Sequence, residues 1–206
     1  MSRLFPVVES LPPSYSSFEL WPFRGHDGEW IPLHREMPSD DVGAVMLSLL
    51  GNSMSDELTQ PDLKTAFDEL VRLERTFLPG GLQLEAEGIA VTPGCCADLT
   101  DWPDWHGLPD GNGPDLGHGP GTMFEFDGEI IRFWPDVDDE DWGSPEGRRL
   151  EIRRQDLPAL LQGVNRDLAG FIDALRAWVR NLEPSRADQV VAAVSGYLRV
   201  GDGPSA

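Results

Sequence analysis

Residues 157–182 read LPALLQGVNRDLAGFIDALRAWVRNL, and this stretch decides the fold class. Leu157, Leu160, Leu161, Val164, Leu168, Phe171, Ile172, Leu175, Trp178, Val179 and Leu182 recur at spacings of three and four. That period places them on one face of a helix. Asp156 stands where a cap is needed, and Pro158 falls in the first turn, where a missing N–H costs nothing. Pro184 follows the end. The stripe includes the neighbours 160/161, 171/172 and 178/179, so it is wider than a coiled-coil seam. It is expected to pack across a sheet, not to form a dimer seam. Gly163 and Gly170 are expected to weaken the helix locally by ~1 kcal/mol each relative to alanine.

Upstream, the period drops to two. Leu82, Leu84 and Ala86 alternate with Gln83, Glu85 and Glu87, and Ile89-Ala90-Val91 returns after Gly88. Thr122 to Phe126 and Glu129 to Trp134 flank Asp127-Gly128, a strong hairpin signal. Residues Arg148 to Arg154 predict one more strand. Nearer the start, aromatic residues between Phe18 and Leu33 alternate around Asp27-Gly28, with Pro22 and Pro32 demoting these strands to edges. Val42 to Leu50 is apolar without a clear period and fits a helix or a buried strand. Pro61 to Phe77 predicts a helix with Thr59 as its cap, and 187–200 a short final one. The expected fold is therefore α+β. About five antiparallel strands pack against the long C-terminal amphipathic helix, with an additional N-terminal helix. Prolines and serines over 1–17 read as a poorly ordered lead-in. Residues 18–200 read as a single domain and 201–206 as a tail.

The formal net charge is -20, and 95–151 alone carry 15 acids against 3 bases. Phosphate recognition needs clustered Lys and Arg, so nucleic acid and anionic membrane surfaces are disfavoured as partners. A basic protein, a cationic ligand or a metal ion suits this charge. No run reaches the ~18 apolar residues of a membrane span. Met1 to Ser10 lacks the form of a secretion signal, and two reduced thiols fit the cytosol, so a cytoplasmic location is expected.

The same acidic segment holds both cysteines, two of the four histidines and four of the seven tryptophans. Cys95, Cys96, His106 and His118 are a ligand set that zinc takes. Structural zinc sites usually separate paired ligands by two to four residues, whereas adjacent side chains are expected to point apart. The favoured expectation for the thiols is one buried as a small apolar residue and one lining a turn. A cysteine nucleophile is disfavoured because surrounding acids raise a thiol pKa. Asp136, Asp138, Asp139, Glu140 and Asp141 do not make a calcium loop, since the sixth position is Asp141 and the twelfth is Gly147. The glycines of 111–121 are followed by a strand and not by a helix N-terminus, so they are no phosphate loop. No serine elbow or His-Glu-x-x-His motif is present.

The run Pro93-Gly94-Cys95-Cys96, Asp101-Trp102, Trp105, Gly117-His118 and Pro120, with Leu157-Pro158, Asp167-Leu168 and Phe171, resembles a set of actinobacterial proteins of unknown function over roughly 80–182. That resemblance implies no activity and assigns no catalytic residue. The acidic α+β layout is also similar to immunity proteins that neutralise basic toxins, by analogy of charge and layout.

The leading expectation is a non-enzymatic acidic binding protein, an immunity-type inhibitor of a basic protein, with no cofactor or catalytic residue. Its partner-binding residues are Trp102, Trp105, Asp136, Asp138, Asp139, Glu140, Asp141 and Trp142: acids steer and tryptophans anchor. The alternatives are a metal- or thiol-dependent enzyme or sensor using Cys95, Cys96, His106 and His118, and a structural or oligomeric accessory protein.

Overall fold

The computed structural model describes residues 2–11, 20–25, 30–53, 61–73, 76–118, 121–135, 137 and 147–201. The fold is α+β, as expected, but the strands form two sheets and not one. One has the order β2-β1-β3-β4, from β1 (Arg3–Glu9), β2 (Trp30–Pro32), β3 (Gly80–Ala86) and β4 (Ile89–Val91). The other has the order β5-β6-β7, from β5 (Met123–Asp127), β6 (Ile130–Trp134) and β7 (Leu150–Arg153). The helices are α1 (Ser39–Ser53), α2 (Leu63–Arg72), α3 (Leu157–Leu182) and α4 (Ala187–Tyr197).

The chain divides into two compact units, Met1–Val7 with Pro79–Asn165, and Val8–Leu78 with Arg166–Ala206. Within the expected lead-in, Arg3–Glu9 form β1, while 12–17 lie outside the described residues. Residues 4–8 of β1 are all buried. A strand covered on both faces shows a continuous apolar run without alternation, and Pro6 in its middle argued against a strand.

In the first unit, two tight hairpins set the framework. Ala86 pairs with Ile89, leaving Glu87 (φ 53) and Gly88 (φ 75) as a two-residue loop. Asp127 pairs with Ile130, so the second loop is Gly128-Glu129, one residue later than the Asp127-Gly128 signal. β7 pairs with β6 through Leu150–Phe133 and Ile152–Ile131, which buries all four side chains. On the opposite face Arg132 bridges Glu125, Asp127 and Glu151 across the three strands.

In the second unit, the ambiguous run resolves as a helix: Val42 to Leu50 are all buried in α1. α2 is shorter than predicted. Its cap is Asp62, whose Oδ1 accepts the Thr65 N–H at 2.7 Å, and Leu73 ends it in a left-handed conformation. Thr59 lies outside the described residues, as does the turn at Asp27-Gly28. Trp21, Phe67 and Trp178 form an aromatic cluster, with Trp21 edge-on to Trp178 at 5.0 Å. The part of the α3 stripe in this unit is buried at Leu168, Phe171, Ile172, Leu175, Trp178 and Val179. Gly170 is no defect: a Cβ there would lie 2.8 Å from the Arg35 backbone nitrogen, so glycine admits the 35 segment against the helix.

Candidate metal centre

The segment after β4 turns at Gly94-Cys95-Cys96-Ala97. The Ala97 N–H donates to the Gly94 carbonyl at 3.3 Å, and Cys96 has φ +68. A turn with a left-handed third residue ordinarily takes glycine there. A side chain in that conformation costs on the order of 1–2 kcal/mol. The turn is fastened on both sides. The Gly80 N–H donates to the Ala97 carbonyl at 3.1 Å, and Asp98 Oδ1 accepts the Thr100 N–H at 2.9 Å, capping the helix that follows.

Across from the turn runs the segment 116–118. The His118 N–H donates to the Cys95 carbonyl at 2.9 Å, and the Gly94 N–H to the Leu116 carbonyl at 2.7 Å. Two glycines allow this approach. A Cβ on Gly94 would fall 2.3 Å from the His118 carbonyl oxygen. One on Gly117 (φ +77) would fall 2.6 Å from the Cys95 carbonyl oxygen.

The result overturns the expectation that adjacent cysteines point apart. A ligand atom from each of Cys95, Cys96 and His118 lies within 4.8 Å of the others, and all three residues are exposed. Zinc–sulfur bonds of ~2.3 Å and zinc–nitrogen bonds of ~2.0 Å in a tetrahedron imply donor separations of ~3.4–3.8 Å. Binding one ion requires the donors to contract to that spacing. The thiols are also not divided into one buried and one in a turn, because both are exposed. The Cys96 thiol pKa is raised, first by its hydrogen bond with the Cys95 thiol and mutual repulsion with it, then by desolvation and the Asp115 carboxylate. That favours the protonated form and disfavours a free nucleophile; a bound cation reverses the effect.

His106 is not the fourth donor. It lies on a 3₁₀ helix, Leu99–Asp110, with its ring 5.8 Å from that of Trp102. Its Nε2 is buried without a hydrogen-bond partner among the described residues, and burial pushes its pKa below the usual 6.5. The unfolded chain therefore binds a proton more readily than the folded one. Stability from this group is full above about pH 6.5 and falls as pH drops toward the lowered pKa. Urea midpoints should decline from pH 7.5 to 5.5, and the decline should be shallower in His106→Gln.

Three residues per turn order this 3₁₀ helix. Leu99, Trp102, Trp105 and Leu108 are buried on one side, with Trp105 stacked on Phe133 at 5.9 Å. Asp101, Asp104 and Asp110 are exposed on another. Trp102 and Trp105 are 1% and 2% exposed, so they are core residues and present no surface to a partner. Asp136, Asp138, Asp139, Glu140, Asp141 and Trp142 lie outside the described residues. The long 3₁₀ helix and the glycine-fastened turn were not foreseen. Their available signals were the apolar repeat of three from Leu99 to Leu108 and the paired glycines at 94 and 117.

Comparison with protein-family models, curated proteins and solved structures finds no match to this chain. Among the described residues, no helix is long and apolar enough to cross a membrane.

Proposed function

We propose that this protein is a metal-dependent sensor that binds one soft divalent ion of the zinc class through Cys95, Cys96 and His118. The observation that carries this reading is the convergence of two thiols and an imidazole within 4.8 Å from two separate chain segments. Thiolates and imidazole are the donors that zinc prefers. Surrounding acids, Asp115 among them, raise the local concentration of cations.

A sensor is favoured over an enzyme by the surroundings. Among the described residues, a cavity beside the turn, between Gly81, Pro93, Ala97 and Trp102, holds about 10 Å³, too little for a substrate. The larger groove, about 570 Å³ between Glu87, Ile89, Arg149 and Arg153, is not lined by any of the three donors. Occupancy instead ties the turn to the 116–118 segment, next to the cap of the 3₁₀ helix. Zinc titration against a chromophoric chelator should give one site per chain. Losing outer-shell support alone typically costs ~10–100-fold in affinity, so Cys95→Ser, Cys96→Ser and His118→Ala should each cost at least ~100-fold. His106→Ala should change little. Equal affinity in all four variants contradicts the assignment.

A second reading, an acidic binding surface for a basic protein, is supported by the exposed Asp101, Asp104 and Asp110 on the 3₁₀ helix. In that reading the acids steer a cationic partner, and the buried tryptophans hold the helix that presents them.

A further inference from the structure

We propose that Cys95 and Cys96 close into a reversible intramolecular disulfide when they meet a peroxide, and that this closure releases the bound ion. The inference rests on the metal reading for its consequence, and on the thiol pair for its chemistry. The two thiols are adjacent in sequence, their sulfurs lie within 4.8 Å of each other, and both residues are exposed, so a small oxidant reaches both. The chain has no third cysteine to compete as a resolving thiol.

Cys95 attacks a peroxide oxygen as the thiolate, the O–O bond breaks, and a sulfenic acid forms on its sulfur with loss of hydroxide. Cys96, once its proton has gone to solvent, attacks that sulfur, the S–S bond forms and a second hydroxide leaves. The two sulfurs give up two electrons, and hydrogen peroxide, reduced by the same two, takes two protons from solvent to end as water. Two of the three donors are then lost as metal ligands, and His118 alone does not hold the ion.

Reversibility follows from geometry. Disulfides ordinarily span Cα separations of ~4.4–6.8 Å, whereas neighbouring residues are fixed at ~3.8 Å. The bond formed here is strained and exposed, which are the properties of labile, regulatory disulfides.

The test treats metal-free and zinc-loaded protein with one equivalent of hydrogen peroxide. It follows intact mass, alkylatable thiols and free zinc. The expected product is a monomer lighter by about 2 Da, with no alkylatable thiol and with zinc released in equal amount. Dithiothreitol should restore the mass and the binding. Cys95→Ser and Cys96→Ser should each stop at a sulfenic acid or higher oxide, without the 2 Da loss. Gains of one or more oxygens in the unsubstituted protein, or a disulfide-linked dimer, overturn the proposal. The two readings fail separately. Zinc binding without the 2 Da loss overturns the switch and leaves the metal site standing. The 2 Da loss in a chain that never binds zinc overturns the metal site and the release that depends on it.

Discussion

Gly94→Ala and Gly117→Ala are each expected to lower zinc affinity at least ~100-fold although every donor remains in place. The new methyl at 94 would sit 2.3 Å from the His118 carbonyl oxygen, and the one at 117 would sit 2.6 Å from the Cys95 carbonyl oxygen. Both obstacles are backbone atoms, which have no rotamer to adopt, so the two segments must separate. Separation breaks the Cys95–His118 bridge that brings the donors together. At 117 the positive φ adds backbone strain on the order of 1–3 kcal/mol. Gly111→Ala is the control. Its φ is +85 but nothing lies within 4 Å of the added carbon, so it should cost stability alone and leave zinc binding unchanged. Zinc titration and urea unfolding on the three variants measure both quantities. Wild-type affinity in Gly94→Ala would mean that the bridge does not assemble the site.

Trp102→Ala and Trp105→Ala are each expected to destabilise the protein by about 3–5 kcal/mol, read from urea denaturation. Both indoles are almost completely buried, and Trp105 is stacked on Phe133 of β6. Removing either leaves a cavity under the 3₁₀ helix that the sheet has no means of filling. A partner-anchoring role predicts the opposite pattern, with stability barely changed and association lost. A loss below about 1 kcal/mol would return these residues to the surface role that the sequence proposes for them.

What the sequence discloses depends on whether the signal is local. The stripe of α3 and the hairpin of β5 and β6 follow from repeats of three to four and of two, and both are found within a residue of their expected places. β1 escapes because a strand buried on both faces has no alternation, and Pro6 disguises it further. Two sheets replace one because pairing partners are chosen by contacts distant in sequence. The candidate site is legible in its residue types and not in its geometry. Cys95, Cys96 and His118 are evident donors, but their convergence needs a left-handed Cys96 and two glycines that let 94–95 and 116–118 touch. No periodicity carries that information. His106 has the right chemistry for a ligand, yet its helix turns it against Trp102.

The most direct test of the metal centre is a cobalt(II) titration followed by absorption. Cobalt reports sulfur ligation through a thiolate-to-metal charge-transfer band and tetrahedral geometry through intense d–d bands. The site described here predicts both, saturating at one ion per chain and displaced by zinc, with the charge-transfer band reduced in Cys95→Ser and Cys96→Ser. A titration that gives only the weak spectrum of hexaaqua cobalt, with no thiolate band, would contradict it.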